Sequence, residues 1–432
     1  MGAVPELRVH RSLTRALQLI GSDRLRWLDE AAALGPVAAL RMGPLTTWVI
    51  SDPDAARKML VTDHGSWVRP PTLLVPMRVA VGENLFTQRD RAWAQLQPAV
   101  APAFRKSALE RRLADLDALI DDEVQAVPVD VTIDLDLVTA RIALVVAAWV
   151  LSGERLDRTR AEELADHQRE VVRWVGPRVG KLSAIVPLAI GASGRAMRRH
   201  RAFLNAYADD VIARASTGQP HDDDVLGALL RARPSRRALT PHQLRGQVLG
   251  LLLAGSDTTA AGLSWALVHG AHHPTEWQRL RKDPGRHTLP FIHETLRLTP
   301  PVWGFSRTPA TAGVTLSAAN LTTRVHRGQV VTIYLRGIHR DPTSWDNPLQ
   351  FNPSRHDPAL ITNQHRQLLA FGLGPRGCIG QHLAMAELMA VLPALARHGR
   401  ITIDEPVTED ASFSLRVQDG LTGQVRTAGE GY

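Results

Sequence analysis

Residues 371–380 read FGLGPRGCIG and hold Cys378, the sole cysteine of the chain. Gly372, Gly374, Gly377 and Pro375 in so short a run rule out a helix or an ordinary strand. They let the backbone take positive φ and let a bulky partner come close. The sequence that follows, IGQHLAMAELMAVLPALARHG, carries apolar residues at helical spacing and ends at Gly399, a C-cap candidate. Cys378 then stands at the mouth of a helix, where free backbone N–H groups favour a thiolate, with Arg376 two residues before it. That combination suggests a metal or cofactor ligand; the plain alternative is a buried cysteine acting as a small hydrophobe.

A second constellation lies in the middle of a long apolar helix. Thr240–Pro241–His242–Gln243 is a capping box with proline at the first helical position. The pattern then runs through LRGQVLGLLLAGSDTTAAGLSWALVHGAHH. Its centre, Ala254–Gly255–Ser256–Asp257–Thr258–Thr259, lowers helix propensity and places a carboxylate inside. An acid beside a hydroxyl can bind something in a locally opened groove. Otherwise Thr258 caps its own i−4 carbonyl and Asp257 faces solvent. A third pair, Glu294 and Arg297, shares one helix face at i, i+3.

The positioning elements read as mainly α with a small β region. Asp23 to Leu34 is helical, Val37 to Leu40 and Trp48 to Ser51 are strands, and Asp52 to Leu60 is a helix with Pro53 at its start. Residues 66–88 hold three prolines and no apolar period, which predicts a long irregular loop. Residues 107–215 are amphipathic helices around an apolar stretch broken by glycine and proline, VGPRVGKLSAIVPLAIGAS, read as a lid. The polar linker STGQPHDDD follows, and PPVWGFSR breaks a later helix. Val314 to Leu316 and Gln329 to Leu335 read as further strands.

Of the 432 residues 44% are hydrophobic and 22% charged, enough for a sizeable core and unlike a disordered chain. One cysteine excludes an internal disulfide framework and fits a reducing compartment. Apolar runs such as Ile142 to Leu151 are half the roughly 20 residues a membrane span needs. The N-terminal residues show no signal-peptide apolar region, and Glu6 breaks the myristoylation pattern. A soluble cytoplasmic protein without a membrane anchor is expected. The net charge of +8 is spread along amphipathic helices with no nucleic-acid motif, so it reads as a solvated basic surface, part of which serves an acidic protein partner.

The loop at Cys378 resembles the haem-binding loop of the cytochrome P450 superfamily, F-G-x-G-x-R-x-C-x-G. Phe371, Gly372, Gly374, Arg376, Cys378 and Gly380 all match it. The Asp257–Thr258 segment resembles the family's oxygen-binding signature. His293–Glu294–Thr295–Leu296–Arg297 supplies its E-x-x-R, and Phe351–Asn352–Pro353–Ser354–Arg355 its F-x-P-x-R. The resemblance implies a single domain over residues 1–432 that encloses haem b (iron protoporphyrin IX) between the Thr258 helix and the Cys378 loop. It implies Cys378 as axial thiolate, Phe371 shielding its sulfur, and Arg376 and Arg307 on haem propionates. Trp93 matches a further propionate position, but Gln97 stands where the family has arginine, with Arg89 or Arg91 as substitutes. Asp257 and Thr258 would bind dioxygen and relay protons, and Glu294, Arg297 and Arg355 would hold the haem loop. Leu74, Val75, Met77, Val79, Trp174, Leu182, Ile185, Val302, Trp303 and Phe305 are candidates for substrate contact, with core packing as the alternative.

The implied activity is monooxygenation of a hydrophobic terpenoid, polyketide or fatty acyl compound of secondary metabolism. Electrons would come from NAD(P)H through a separate ferredoxin and ferredoxin reductase, since one cysteine cannot hold a four-cysteine cluster. Arg105, Lys106, Arg111, Arg112 and Arg366 form a candidate docking patch on a monomer. Peroxide-driven oxidation or oxidative coupling on the same fold is the first rival. A haem-free basic binding protein is the second.

Overall fold

The structure, a computed structural model, describes residues 4–180, 192–217, 224–233, 238–357 and 368–427. Leu182, Ile185 and Arg366 lie outside the described residues, as does most of the polar linker. The chain clusters into two compact units. One comprises Met1–Leu73, His293–Cys378 and Asp410–Leu415; the other comprises Leu74–Ile292, Ile379–Glu409 and Arg416–Tyr432. Taken over the whole chain, the elements follow the reading of a helix-rich fold with a small β region.

The first unit is built on a six-stranded sheet in the order Glu6–His10, Val37–Met42, Leu45–Ile50, Val330–Tyr334, Gly304–Pro309, Trp67–Val68. Val37–Met42 and Leu45–Ile50 form an antiparallel hairpin running from Val37↔Ile50 to Met42↔Leu45. Gly43 turns it at φ 57°, where an added Cβ would lie 2.8 Å from the Leu13 nitrogen, so only glycine fits. Trp48, Ile50, Val331, Ile333 and Leu335 interdigitate beneath the sheet as its apolar core. The helix Arg24–Ala32 lies within the expected Asp23 to Leu34, and the Asp23 carboxylate accepts from the Arg26 N–H. Asp52 caps Pro53–Arg57 in the same way, after which Lys58–Thr62 continues as a π-helical turn. The strand Glu6–His10 and the helix Leu13–Ser22 were not legible beforehand. The strand sits at the sheet edge with exposed charged residues, and the helix is interrupted by polar ones.

The second unit is organised on two long helices, Leu135–Ser152 and Pro241–His272, packed along one another. Both are long and apolar enough to cross a membrane by length and composition, contrary to the reading of short apolar runs. Their apolar windows are 72% and 78% buried within the fold, as core helices are. A buried polar cluster ties them: the Ser264 hydroxyl donates to Asp136 at 2.5 Å and lies 2.9 Å from the Thr139 hydroxyl. Residues 66–88 are not a continuous loop, because Pro71–Val81 is helical. Pro76 gives up one backbone hydrogen bond inside it, and burial of Leu74, Pro76, Met77, Ala80 and Val81 offsets that loss.

The segment after that helix crosses the long Pro241–His272 helix at two glycines. A Cβ on Gly246 would stand 2.3 Å from the Glu83 carbonyl oxygen, and one on Gly250 would stand 2.3 Å from Asn84 Cγ. At Gly255 a Cβ would make an ordinary 3.5 Å contact with Ala147. Gly246→Ala is therefore expected to lower the thermal midpoint, the backbone at Glu83 having to shift at a cost of about 2 kcal/mol or more. Gly255→Ala should be neutral or stabilising by up to about 1 kcal/mol through helix propensity. Equal midpoints for the two variants would refute this account of the crossing.

Candidate functional site

The cysteine loop is closed by its own backbone. Cys378 N–H donates to the Phe371 carbonyl at 2.8 Å, Gly377 N–H to Gly374 at 2.9 Å and Gly372 N–H to Leu369 at 2.8 Å. Gly372 and Gly374 both sit at φ 70°. A Cβ on Gly374 would come within 2.2 Å of the Leu60 carbonyl oxygen, and one on Gly372 within 3.2 Å of the Phe305 ring. The loop is thus pressed against the sheet unit, and the thiol is turned outward: Cys378 is exposed, unlike the buried hydrophobe of the alternative reading. The arrangement fits a haem. It offers one accessible sulfur, with Arg376 and Arg307 half-buried in the same unit. The helix Gln381–His398 begins three residues on and ends at Gly399, which is extended and not left-handed. Glycine is required there because a Cβ would meet the Arg426 carbonyl at 2.4 Å.

Behind the loop lies the acid–arginine cluster. Glu294 and Arg297 are both fully buried and share two bonds, at 2.7 and 2.9 Å. Glu294 also accepts from Arg355 at 3.0 Å, from the Asn352 N–H at 2.8 Å, and bonds the His356 ring at 2.9 Å. Arg297 donates onward to the carbonyls of His339, Pro348 and Gln350. His339 in turn accepts from the Leu369 N–H at 2.9 Å, two residues before Phe371. The roles of His339 and His356 were missed in the sequence. Each follows a long separation in chain, which no spacing rule reports.

In the second unit Pro241–His272 is α-helical throughout, with its capping box formed by Thr240 and Gln243. No groove opens in its backbone. Thr258 bonds its i−4 carbonyl, Ala254 O, at 3.0 Å, as the plain alternative had it. Asp257 departs from that alternative: it is buried and ion-paired with Arg416. The helix is buried on both sides of this point, yet on one face Ala254 is exposed and Leu251, Gly255 and Thr258 are only half-buried, an incompletely covered strip at i, i+3, i+4 and i+7. Such a strip in the middle of a core helix is where a ligand can reach the backbone.

Other candidates are placed as follows. Trp93 is half-buried on the helix Asp90–Val100, with Gln97 one turn on. Leu74 and Met77 are buried, while Val75 and Val79 are half-buried on the helix noted above. Trp174 is buried, with the Arg178 guanidinium 4.1 Å above its ring. Val302 and Phe305 are half-buried, and Trp303 donates to the Phe413 carbonyl at 3.1 Å. Arg105, Lys106 and Arg111 are exposed. Arg112 does not belong with them, since it pairs with the buried Asp224 at 3.4 Å and stacks 3.9 Å above Trp149.

The family profile described as Cytochrome P450 matches residues 17–418. Human Cytochrome P450 4F8 is 32% identical over 254 residues, 54% of this chain and 48% of that protein, so the chain spans about half its length. Tryptamine 5-hydroxylase of Oryza sativa subsp. japonica is 27% identical over 88% of this chain and 81% of its own. Putative cytochrome P450 137 of Mycobacterium tuberculosis is 28% identical over 90% of this chain and 82% of its own.

The buried cluster has a signature in acid. Burial alone pushes the Glu294 carboxyl up, but the bonds from Arg297 and His356, the Arg297 charge and the Asn352 N–H outweigh it and hold it at about 2. Burial, then the Arg297 charge, push the His339 imidazole down to about 3. Both groups are depressed relative to the unfolded chain, so the unfolded state binds the extra protons. Stability tied to His339 is present above 6.5 and lost as pH falls towards 3; that tied to Glu294 is lost between 4.5 and 2. His339→Gln keeps an acceptor for Leu369 without titrating, and should flatten the fall of the thermal midpoint between pH 6.5 and 5. A variant curve parallel to the parent's would remove His339 from this account.

Proposed function

Because the chain belongs to the cytochrome P450 family and is a monooxygenase of that kind, we propose that Cys378 binds haem b through its thiolate and that the enzyme inserts one oxygen atom into a hydrophobic small molecule. The balance is R–H + O2 + NAD(P)H + H⁺ giving R–OH + H2O + NAD(P)⁺. The observation that carries this reading is the exposed Cys378 thiol on a loop closed by the Phe371 carbonyl and pressed flat by its glycines. When bound, thiolate-ligated haem supplies the oxygen chemistry, the sulfur's electron density favouring O–O cleavage.

The chain's own residues do the rest. Gly372 and Gly374 let the loop lie against Phe305 and Leu60, and Arg376 and Arg307 would neutralise the haem propionates. Trp93 would donate its indole N–H to a propionate, and Gln97 would give at most a neutral hydrogen bond where a cation would be stronger. The incompletely covered strip at Leu251, Ala254, Gly255 and Thr258 supports an oxygen and substrate pocket along this helix. There the Thr258 hydroxyl, bonded to Ala254 O, can redirect its proton, and Asp257 resupplies it. Aliphatic Leu74, Val75, Met77 and Val302 with Trp174 and Trp303 suit an apolar substrate of the terpenoid, polyketide or fatty acyl kind. The rice relative's name, with its aromatic amine, widens that class. We read the protein as one soluble cytoplasmic domain, a monomer served by a separate ferredoxin and its reductase, with Arg105, Lys106 and Arg111 as the docking face.

The dithionite-reduced protein with carbon monoxide should show the strongly red-shifted Soret band of thiolate ligation, and Cys378→Ala should abolish it. A band of the neutral-ligand type in the parent would overturn the assignment. Charge reversal of Arg105, Lys106 and Arg111 should slow ferredoxin-supported reduction by about tenfold, more at low salt than at high. Reduction at the parental rate would remove the docking face, and turnover sustained by peroxide alone would favour the peroxide-driven rival.

A further inference from the structure

Two histidines that the proposed chemistry does not use meet across a pair of helices. His167 stands in the body of Arg158–Val175 and His200 in that of Ala192–Thr217, and both are half-buried. Their Nδ1 atoms lie 3.1 Å apart, with the ring centroids at 4.9 Å and the planes at 62°. The Phe203 ring stacks on His167 at 3.9 Å and 8°, so packing holds that imidazole in its orientation.

A neutral pair at this distance shares one proton, one Nδ1 donating and the other accepting. The same separation suits a metal ion. Imidazole nitrogens bind zinc at about 2.0–2.1 Å, and two such bonds to nitrogens 3.1 Å apart enclose an angle of about 98°. That lies between the right angle of adjacent octahedral positions and the tetrahedral angle. An ion therefore fits beside the line joining the two nitrogens once each ring has turned towards it, and the terminal torsion of histidine is broad enough to allow this.

The charges around the pair suit a cation. Glu163 and Asp166 lie within electrostatic reach of His167, with Arg160 as the opposing cation. Arg160 is itself ion-paired with Glu163 at 3.1 Å, and its guanidinium lies 5.1 Å from the Phe203 ring. Arg199 and Arg201 flank His200 in the chain, but neighbours on a helix point about 100° away. Arg201 donates to the Val79 carbonyl at 2.8 Å. Among the described residues no three His, Cys, Asp or Glu side chains gather as a metal cluster. The protein thus supplies two nitrogens, and water at the half-buried edge supplies the remaining ligands.

We propose that His167 and His200 form a two-histidine site for a divalent transition-metal ion of the zinc kind, which takes the place of the shared proton and ties the two helices together. Imidazole is a ligand such ions accept and magnesium does not favour. On binding, the proton on one Nδ1 passes by way of solvent to the Nε2 of the same ring, leaving both Nδ1 lone pairs to the metal. The inference is independent of the haem–thiolate reading, since both histidines belong to the unit that does not contain Cys378. The two residues are 33 apart in the chain, so no spacing within a helix announces them.

The test uses the haem-loaded full chain, competing for zinc with a chromophoric chelator. The chain has 17 histidines, so the readout is the difference between parent and variants. His167→Gln and His200→Gln keep an amide for hydrogen bonding but lose one of two tethered ligands. Each should weaken the tightest zinc site by about a hundredfold. Excess magnesium should leave the parent's affinity unchanged. Zinc should raise the thermal midpoint of the parent and of neither variant. Variants that bind zinc as tightly as the parent, or a parental midpoint that zinc does not move, would overturn the site. A zinc-soaked crystal of the parent tests the geometry even where a variant fails to fold. Anomalous scattering should place the ion about 2.0–2.1 Å from both Nδ1 atoms. An ion bound to one of the two histidines alone, or to neither, would refute the proposal.

Discussion

The buried bond between Glu294 and Arg297 is the interaction on which the cysteine loop depends. Two charges taken wholly out of water are costly, and they are tolerated only where further hydrogen bonds saturate them. Here Glu294 receives Arg297, Arg355, Asn352 and His356, and Arg297 spends its remaining donors on three backbone carbonyls. The result is a clamp on irregular chain. Residues 340–352 hold no helix or strand and are flanked only by the short turns Leu335–His339 and Pro353–His356, so the cluster supplies what a sheet or longer helix would otherwise supply. Removing one member leaves the other charge buried and unsatisfied, which costs about 3–5 kcal/mol in such settings.

From the clamp the constraint passes to the thiol by short steps. His339, whose carbonyl Arg297 holds, accepts the Leu369 N–H, and Leu369 accepts the Gly372 N–H that opens the loop. Gly374 then lies so close to Leu60 that no side chain fits. The direction of Cys378 is set by the backbone of its own loop, which the acid–arginine cluster steadies through His339 and Leu369. A fixed direction and an exposed thiol are what the proposed haem ligation needs.

What could be read from the sequence was whatever depends on near neighbours in the chain. The capping box at Thr240 and Gln243, the strands at Val37 and Trp48, the helices that begin near Asp23 and Pro53 and the glycine-rich run to Cys378 are all local, and all are present. The helix Pro71–Val81 was read as loop because Pro76 counts against a helix locally, while the burial that outweighs it is tertiary. His356, His339 and Arg416 were invisible for the same reason. A histidine or arginine becomes part of a site through a contact made across tens or hundreds of residues. Gly246 and Gly250 carried no recognisable signal either, because their need is the crossing of Glu83 and Asn84.

The Asp257–Thr258 pair shows the limit of a motif most clearly. Adjacent residues on a helix point about 100° apart, so an acid and a hydroxyl next to each other in sequence need not share a surface. In this fold they do not: Thr258 belongs to the incompletely covered strip with Ala254, and Asp257 is turned into the protein towards Arg416. The motif names two groups able to move protons but gives no direction of supply. Direction comes from what surrounds each one. The hydroxyl is bonded to a carbonyl on the open face, and the acid has one oxygen held by a cation and the other beside a small polar cavity. Neighbours in the chain thus occupy two separate environments on the helix, and only the packing around each tells them apart.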